Sequence, residues 1–256
     1  MANDPFRTAS IRHLVSDEEW AARVELAAAY RLAAHFGLTH LIQNHISLRV
    51  PGTGDQFLIN PYGFLYDRIT ASSLLKIDVE GQLLQETAFD VNEAGFVIHS
   101  AIHKARPDLH CVMHTHTAAG MAVSALECGL LPLSIDAMRW YDRIGYHDLE
   151  GIAINPGERE RIVRNLGPHK CMILRNHGLL TAGRNLAEAF YLMFHLEKAC
   201  VAQMMILASN QKSILPSPEI CEHSARQFGR GNRVFGERDW PALLDLAERL
   251  DPSYKE

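Results

Sequence analysis

Apolar positions along this chain switch repeatedly between a helical and a strand rhythm. Ser16-Asp17-Glu18-Glu19 has the form of a capping box, and the alanine-rich run from Trp20 to Phe36 that follows it stops at Gly37, which predicts a helix. Three short strand patterns come next: Ile46 to Val50, Phe57 to Asn60, and Leu75 to Val79. The last alternates strictly and is closed by Glu80-Gly81, so Leu75 to Gln85 reads as a hairpin. Helical spacing returns from Ala94 to Ala105, ahead of Arg106-Pro107, and sets His99 and His103 four apart on one face. Apolar strands at Leu109 to Met113 and Cys171 to Leu174 each run into a histidine-bearing turn. Helices are predicted over Ala118 to Glu127, Glu158 to Leu166 and Leu186 to Ser209, the last capped by Asn185 with Glu188 three residues on. Strands and helices interleave, yet one hairpin breaks the parallel order, so the pattern predicts an α/β fold with a mixed sheet.

Composition narrows the class. The chain has 256 residues, 47% of them hydrophobic, enough for one large core, and no linker-like stretch divides it. One domain is expected over residues 1–256, with a proline-punctuated helical tail from about residue 213 that has room for two short helices. A net charge of -5 and a pI near 6.3, with basic residues scattered, argue against a nucleic-acid surface. No apolar run reaches the roughly 18 residues of a membrane span, and the N-terminal residues lack a signal-peptide core, so a cytoplasmic protein with no membrane partner is expected. The five cysteines are odd in number and widely spaced, which favours free thiols.

The chemistry concentrates in histidines. His114-Thr115-His116 ends one apolar strand, and side chains at i and i+2 of a strand share a face. His177 ends the second such segment. Three imidazole nitrogens with one position left open are the ligand set of a catalytic metal centre, and strand ends above a rigid sheet are where active sites gather.

Five elements in order resemble the class II aldolase/adducin family: Asn44-His45-Ile46-Ser47-Leu48-Arg49-Val50, Leu58-Ile59-Asn60-Pro61-Tyr62-Gly63, His99 with Arg106-Pro107-Asp108, His114-Thr115-His116, and Asn176-His177-Gly178-Leu179-Leu180. The resemblance runs from about residue 16 to residue 205. It implies a three-layer α/β/α sandwich around a mixed central sheet, and a cyclic tetramer with active sites between subunits. It also implies a divalent metal held by His114, His116 and His177, usually zinc, with manganese, cobalt or iron(II) as other occupants. Relatives of this kind include sugar-phosphate aldolases, an epimerase, dehydratases, decarboxylases and the non-enzymatic heads of adducins.

The departures also carry information. Where sugar-phosphate aldolases of the family place a Gly-Asn pair, a Thr-Gly pair and a catalytic glutamate, this chain has Asn44-His45, Tyr62-Gly63 and Gly95. Donors suited to a phosphate give way to an imidazole and a phenol, and the usual acid/base carboxylate is missing. Glu93 stands two residues away and is the candidate replacement, beside His99 on the same helix. In the aromatic segment Trp140 to Tyr146, Tyr141 is a candidate proton donor, with Tyr146 as its companion; the exposed-looking aromatics there also predict a subunit interface. His45 and Tyr62 are candidate substrate-binding residues, and Asn92 to His99 resembles the adducin-like branch. The expected activity is a metal-dependent carbon-carbon lyase, of aldolase or decarboxylase type, acting on a small non-phosphorylated hydroxy or oxo acid. The alternative is a non-catalytic, adducin-like assembly or binding module.

Overall fold

The computed structural model describes residues 6, 8–151, 157–230 and 234–256, with the backbone alone at 93 and 94. A seven-stranded sheet runs through it, built from β1 (His45–Arg49), β2 (Gln56–Ile59), β3 (Leu75–Asp78), β4 (Cys111–Thr115), β5 (Gly145–His147), β6 (Cys171–Leu174) and β7 (Gly178–Gly183). The order across the sheet is β3-β2-β1-β4-β7-β6-β5. Every neighbouring pair is antiparallel except β5 and β6, which run parallel, so the sheet is mixed as the pattern predicts.

Alternation along the strands loads both faces. Ile46, Leu48, Cys111, Met113, Ile173 and Leu179 pack with the helices α1 (Asp17–His35) and α6 (Leu186–Ala208). Val112, Met172 and Leu180 pack the other way, against Ile98 and Ile102 of α2 (Glu93–Ala105) and Ile162 and Leu166 of α5 (Glu158–Leu166). Helices therefore cover both faces, and the three-layer sandwich follows from period-two burial. Caps fix the helix starts: Ser16 Oγ accepts from Glu19 N at 3.1 Å, and Asn185 Oδ1 from Glu188 N at 2.8 Å.

Several expectations are corrected. The helix expected over Ala118 to Glu127 is shorter, α3 (Ala118–Ser124), because the chain turns before Gly129, which has φ +61°. Strand β7 carries no alternation because all six of its residues are buried. Trp140, expected on an exposed loop, is 5% exposed and belongs to the main core beside the short α4 (Ile135–Met138), while Tyr146 lies on β5. By length and composition α6 passes as a membrane span; in this fold its buried residues, Leu192, Met193 and Leu196 among them, pack into the core. The tail holds the two helices expected, α7 (Pro218–Phe228) and α8 (Trp240–Leu250), and α8 is tied to α1 by Trp240 Nε1 donating to Glu25 Oε1 at 2.6 Å. All five cysteines are free thiols, four of them buried.

Candidate metal centre

His114 sits near the end of β4, on the face covered by α2 and α5, and its Nδ1 donates to the Leu179 carbonyl at 2.8 Å. A carbonyl only accepts, so the proton is on Nδ1 and the lone pair is on Nε2, the arrangement second-shell partners impose on metal-binding histidines. That Nε2 lies 2.7 Å from His116 Nε2 and 3.3 Å from His177 Nε2.

His177 arrives by a tight hairpin turn between β6 and β7. Asn176 takes a left-handed conformation, φ +56°, which asparagine tolerates better than most residues. His177 N then donates to Ser124 Oγ at 3.2 Å. Gly178 follows because a Cβ there would drive into the Thr115 carbonyl oxygen and reach His116 Cδ2 at 3.2 Å. The glycine lets the turn close on the end of β4, and the third imidazole reaches the first two.

Three ring nitrogens within 4.8 Å of one another form a cluster suited to a cation. Burial first, then the neighbouring rings, holds His116 down to about 4 and His114 well below the usual histidine range. His177 is lowered mainly by burial, with Glu158 opposing the shift. All three rings are thus neutral and able to ligate in neutral solution. Tetrahedral zinc with bonds of about 2.0–2.1 Å separates its nitrogens by roughly 3.3 Å. The His114–His177 spacing meets that value. The His114–His116 pair is tighter, so binding requires a small outward turn of His116, which is only partly buried.

Of the other predicted residues, His45 comes closest. It pairs with His114 across β1 and β4, and their ring centroids are 5.1 Å apart. His99 is fully buried one layer back, and its ring is hydrogen-bonded to His45 and Ser47 and to none of the three clustered histidines among the described residues. Tyr62 stands 44% exposed after β2, and its side chain makes no hydrogen bond among the described residues. Tyr141 lines a separate cavity with Trp140, Ile144 and Tyr146 that includes none of the three histidines. Glu93 opens α2, and its side chain falls outside the described residues. Nothing in the sequence pattern singled out Ser47, His147 or Glu158. Glu158 is buried and holds His147 Nε2 at 3.2 Å, in a pocket they share with His177. As the first residue of a helix it reads as solvated, and only the fold brings β5 beside it.

The family model for the class II aldolase and adducin N-terminal domain matches residues 24–204. A Caulobacter vibrioides chain with the provisional name aldolase class 2 protein is 47% identical over 99% of both chains. Mouse alpha-adducin is 49% identical over 89% of this chain, which covers 33% of the adducin. Among solved structures, an aldolase II superfamily protein from Pseudomonas syringae superposes with a TM-score of 0.91 at 46% identity, covering 97% of this chain and 100% of that one. The L-fuculose 1-phosphate aldolase from Glaciozyma antarctica gives 0.83 at 28% identity, covering 98% of each. With more than two thirds of its length matched, this chain belongs to the class II aldolase and adducin N-terminal domain family.

Proposed function

We propose that the chain is a cytoplasmic, single-domain, metal-dependent carbon-carbon lyase of aldolase or decarboxylase type, assembled as a homotetramer. Its substrate is a small non-phosphorylated hydroxy or oxo acid. The observation that carries the reading is the convergence of three Nε2 atoms with His114 Nδ1 tied to a carbonyl, which aims the His114 lone pair at the point where the other two rings meet. A divalent cation there, zinc in the first instance, would supply the positive charge that favours an enolate-like anion, common to aldol cleavage and decarboxylation. The protein's own part is to hold three neutral imidazoles at the strand ends, to line one side of the centre with His45, and to exclude phosphate by the bulk of Tyr62. Tyr141, remote from the centre within its own chain, serves a neighbouring subunit's site in this reading.

The identity to alpha-adducin favours a second reading, an assembly module without chemistry. The fuculose-phosphate aldolase neighbour presses on the substrate side. One assay separates these. Zinc-loaded protein is offered L-fuculose 1-phosphate and a panel of four- to seven-carbon hydroxy and oxo acids. The expected result is cleavage of at least one acid and none of the sugar phosphate. Efficient cleavage of the phosphate would overturn the substrate assignment, and inertness towards the whole set would favour the module.

A further inference from the structure

Close to the third ring of the metal centre stands a buried carboxylate that takes no part in the chemistry above. Glu158 opens α5, yet it is only 4% exposed, and His147 at the end of β5 is buried to the same degree. Asn165 Nδ2 lies 2.9 Å from His147 Nδ1, and His147 Nε2 lies 3.2 Å from Glu158 Oε1. An amide nitrogen only donates and a carboxylate only accepts. His147 Nδ1 therefore receives the Asn165 proton, and Nε2–H is given to Glu158. The backbone brings this pair to the metal centre: His147 pairs with Leu174 across β5 and β6, and its carbonyl accepts from Arg175 N at 2.8 Å. The turn that carries His177 thus begins beside His147.

Glu158, His147 and His177 share a narrow cavity with room for about one water. Glu158 Oε2 has no hydrogen-bond partner among the described residues. Neither has His177 Nδ1, since the nitrogen that meets His114 is Nε2. With Nε2 on a cation, a neutral ring carries its proton on Nδ1 and has a hydrogen bond to give. The two other charged residues on the cavity wall are engaged elsewhere. The Arg175 guanidinium lies over Tyr146, 4.3 Å from the ring centroid, and donates to the Leu126 carbonyl at 2.6 Å, while Asp148 is exposed. Among the described residues Glu158 pairs with no lysine or arginine, and a buried carboxylate needs donors. A buried acceptor and an imidazole with a proton to give thus border one small space.

We propose that Glu158 is a positioning residue for the metal centre, its carboxylate accepting the Nδ1–H of His177 through one water in this cavity and the Nε2–H of His147 directly. The pair of contacts holds the third imidazole with Nε2 towards the cation. His114 has the same kind of support in the Leu179 carbonyl, which takes its Nδ1 proton at 2.8 Å. A charged acceptor strengthens such a hydrogen bond and makes the imidazole a better ligand. The inference rests on the three-histidine reading of the centre and adds the group that orients its third member.

Competition with a chromophoric chelator gives the zinc affinity of the wild type, Glu158→Gln and Asp148→Asn. Glu158→Gln keeps the shape and removes the charge, and its affinity is expected to fall roughly tenfold to hundredfold. Asp148→Asn should leave the affinity unchanged. Unaltered affinity in Glu158→Gln, or an equal loss in both variants, overturns the proposal. Proton–nitrogen NMR of the zinc-loaded proteins adds a readout that packing alone does not move: the His177 Nδ1–H signal should shift upfield in Glu158→Gln and stay in place in Asp148→Asn. An unmoved signal in Glu158→Gln contradicts the proposal. A crystal structure of the zinc-loaded wild type decides the case even if a variant does not fold. It should show one water roughly 2.7–3.2 Å from both His177 Nδ1 and a Glu158 oxygen; a dry cavity, or His177 bound to zinc through Nδ1, overturns the proposal. If the wild type takes up no zinc, the three-histidine reading fails separately, and a metal-free crystal still shows whether the bridge exists.

Discussion

Two groups of histidines share one face of the sheet, and their surroundings give the same side chain opposite tasks. At the rim, His114, His116 and His177 bring their Nε2 atoms together, and His114, with its proton tied on Nδ1 to a carbonyl, offers its lone pair to that point. One layer inward, His45, His99 and His103 are joined nitrogen to nitrogen, directly or through Ser47, so each ring is committed to a neighbour. Lone pairs that converge without a donor create a site for a cation, while lone pairs that meet N–H or O–H groups create a rigid string. The difference lies in the partners and not in the residue type.

Acidification attacks the inner group hardest. His103, faced by Arg49, His110, Phe57 and Ser47, is held neutral in the folded chain down to about 3, against 6.5 when exposed. Its folded value is depressed, so the stability it contributes is whole above pH 6.5 and drains away as pH falls towards 3. Between pH 7.5 and pH 5 the His103 ring costs about 2 kcal/mol, and His99, which burial also holds well below the usual histidine range, acts in the same direction. Thermal unfolding of metal-free protein should therefore be nearly flat above pH 7 and fall steeply below 6.5. A flat profile to pH 5 would mean that the inner rings are hydrated or charged.

A side chain at position 95 breaks the contact between the inner string and its helix. Gly95→Leu is expected to destabilise by about 3 kcal/mol, since the added atoms meet a ring hydrogen-bonded in place. In a His45→Ala background the same change should cost less than about 1 kcal/mol. Equal costs in both backgrounds, measured by denaturant unfolding, would separate Gly95 from His45.

The rim should tolerate loss of its helical neighbour. Thr117 caps α3, accepting from Gly120 N at 3.2 Å, and its hydroxyl donates to Glu197. Thr117→Ala is expected to cost about 1 kcal/mol and leave metal content unchanged, because strand and turn hold the ligands. Loss of metal in that variant would show that α3 supports the centre.

The rim was legible in the sequence because its logic is local. His114 and His116 share a face by strand alternation, and His177 is flagged by a strand that stops at Asn-His-Gly. The mixed sheet was legible from periodicity, whereas the hairpin expected over Leu75 to Gln85 closes with one isolated bridge, Ile77 to Leu83, and adds no second strand. What escaped is non-local. Ser47 meets His99 and His103 across 52 and 56 residues, and nothing about a serine in an apolar strand marks it as the link between them. Trp140 read as an exposed aromatic because the helix just before it is too brief to show a period, and β7 hid because a fully buried central strand has no polar alternation. His45 and Gly95 were each visible as departures from the aldolase pattern, but their being one exchange required the coordinates.

The most direct test of the rim is metal analysis of protein purified without chelator, beside His116→Ala prepared identically. The account predicts about one tightly held divalent ion per chain in the wild type, and a sharp loss in the variant with the fold retained, because the ligand stands at the end of a strand. No bound metal in the wild type, or equal metal in both proteins, would contradict it.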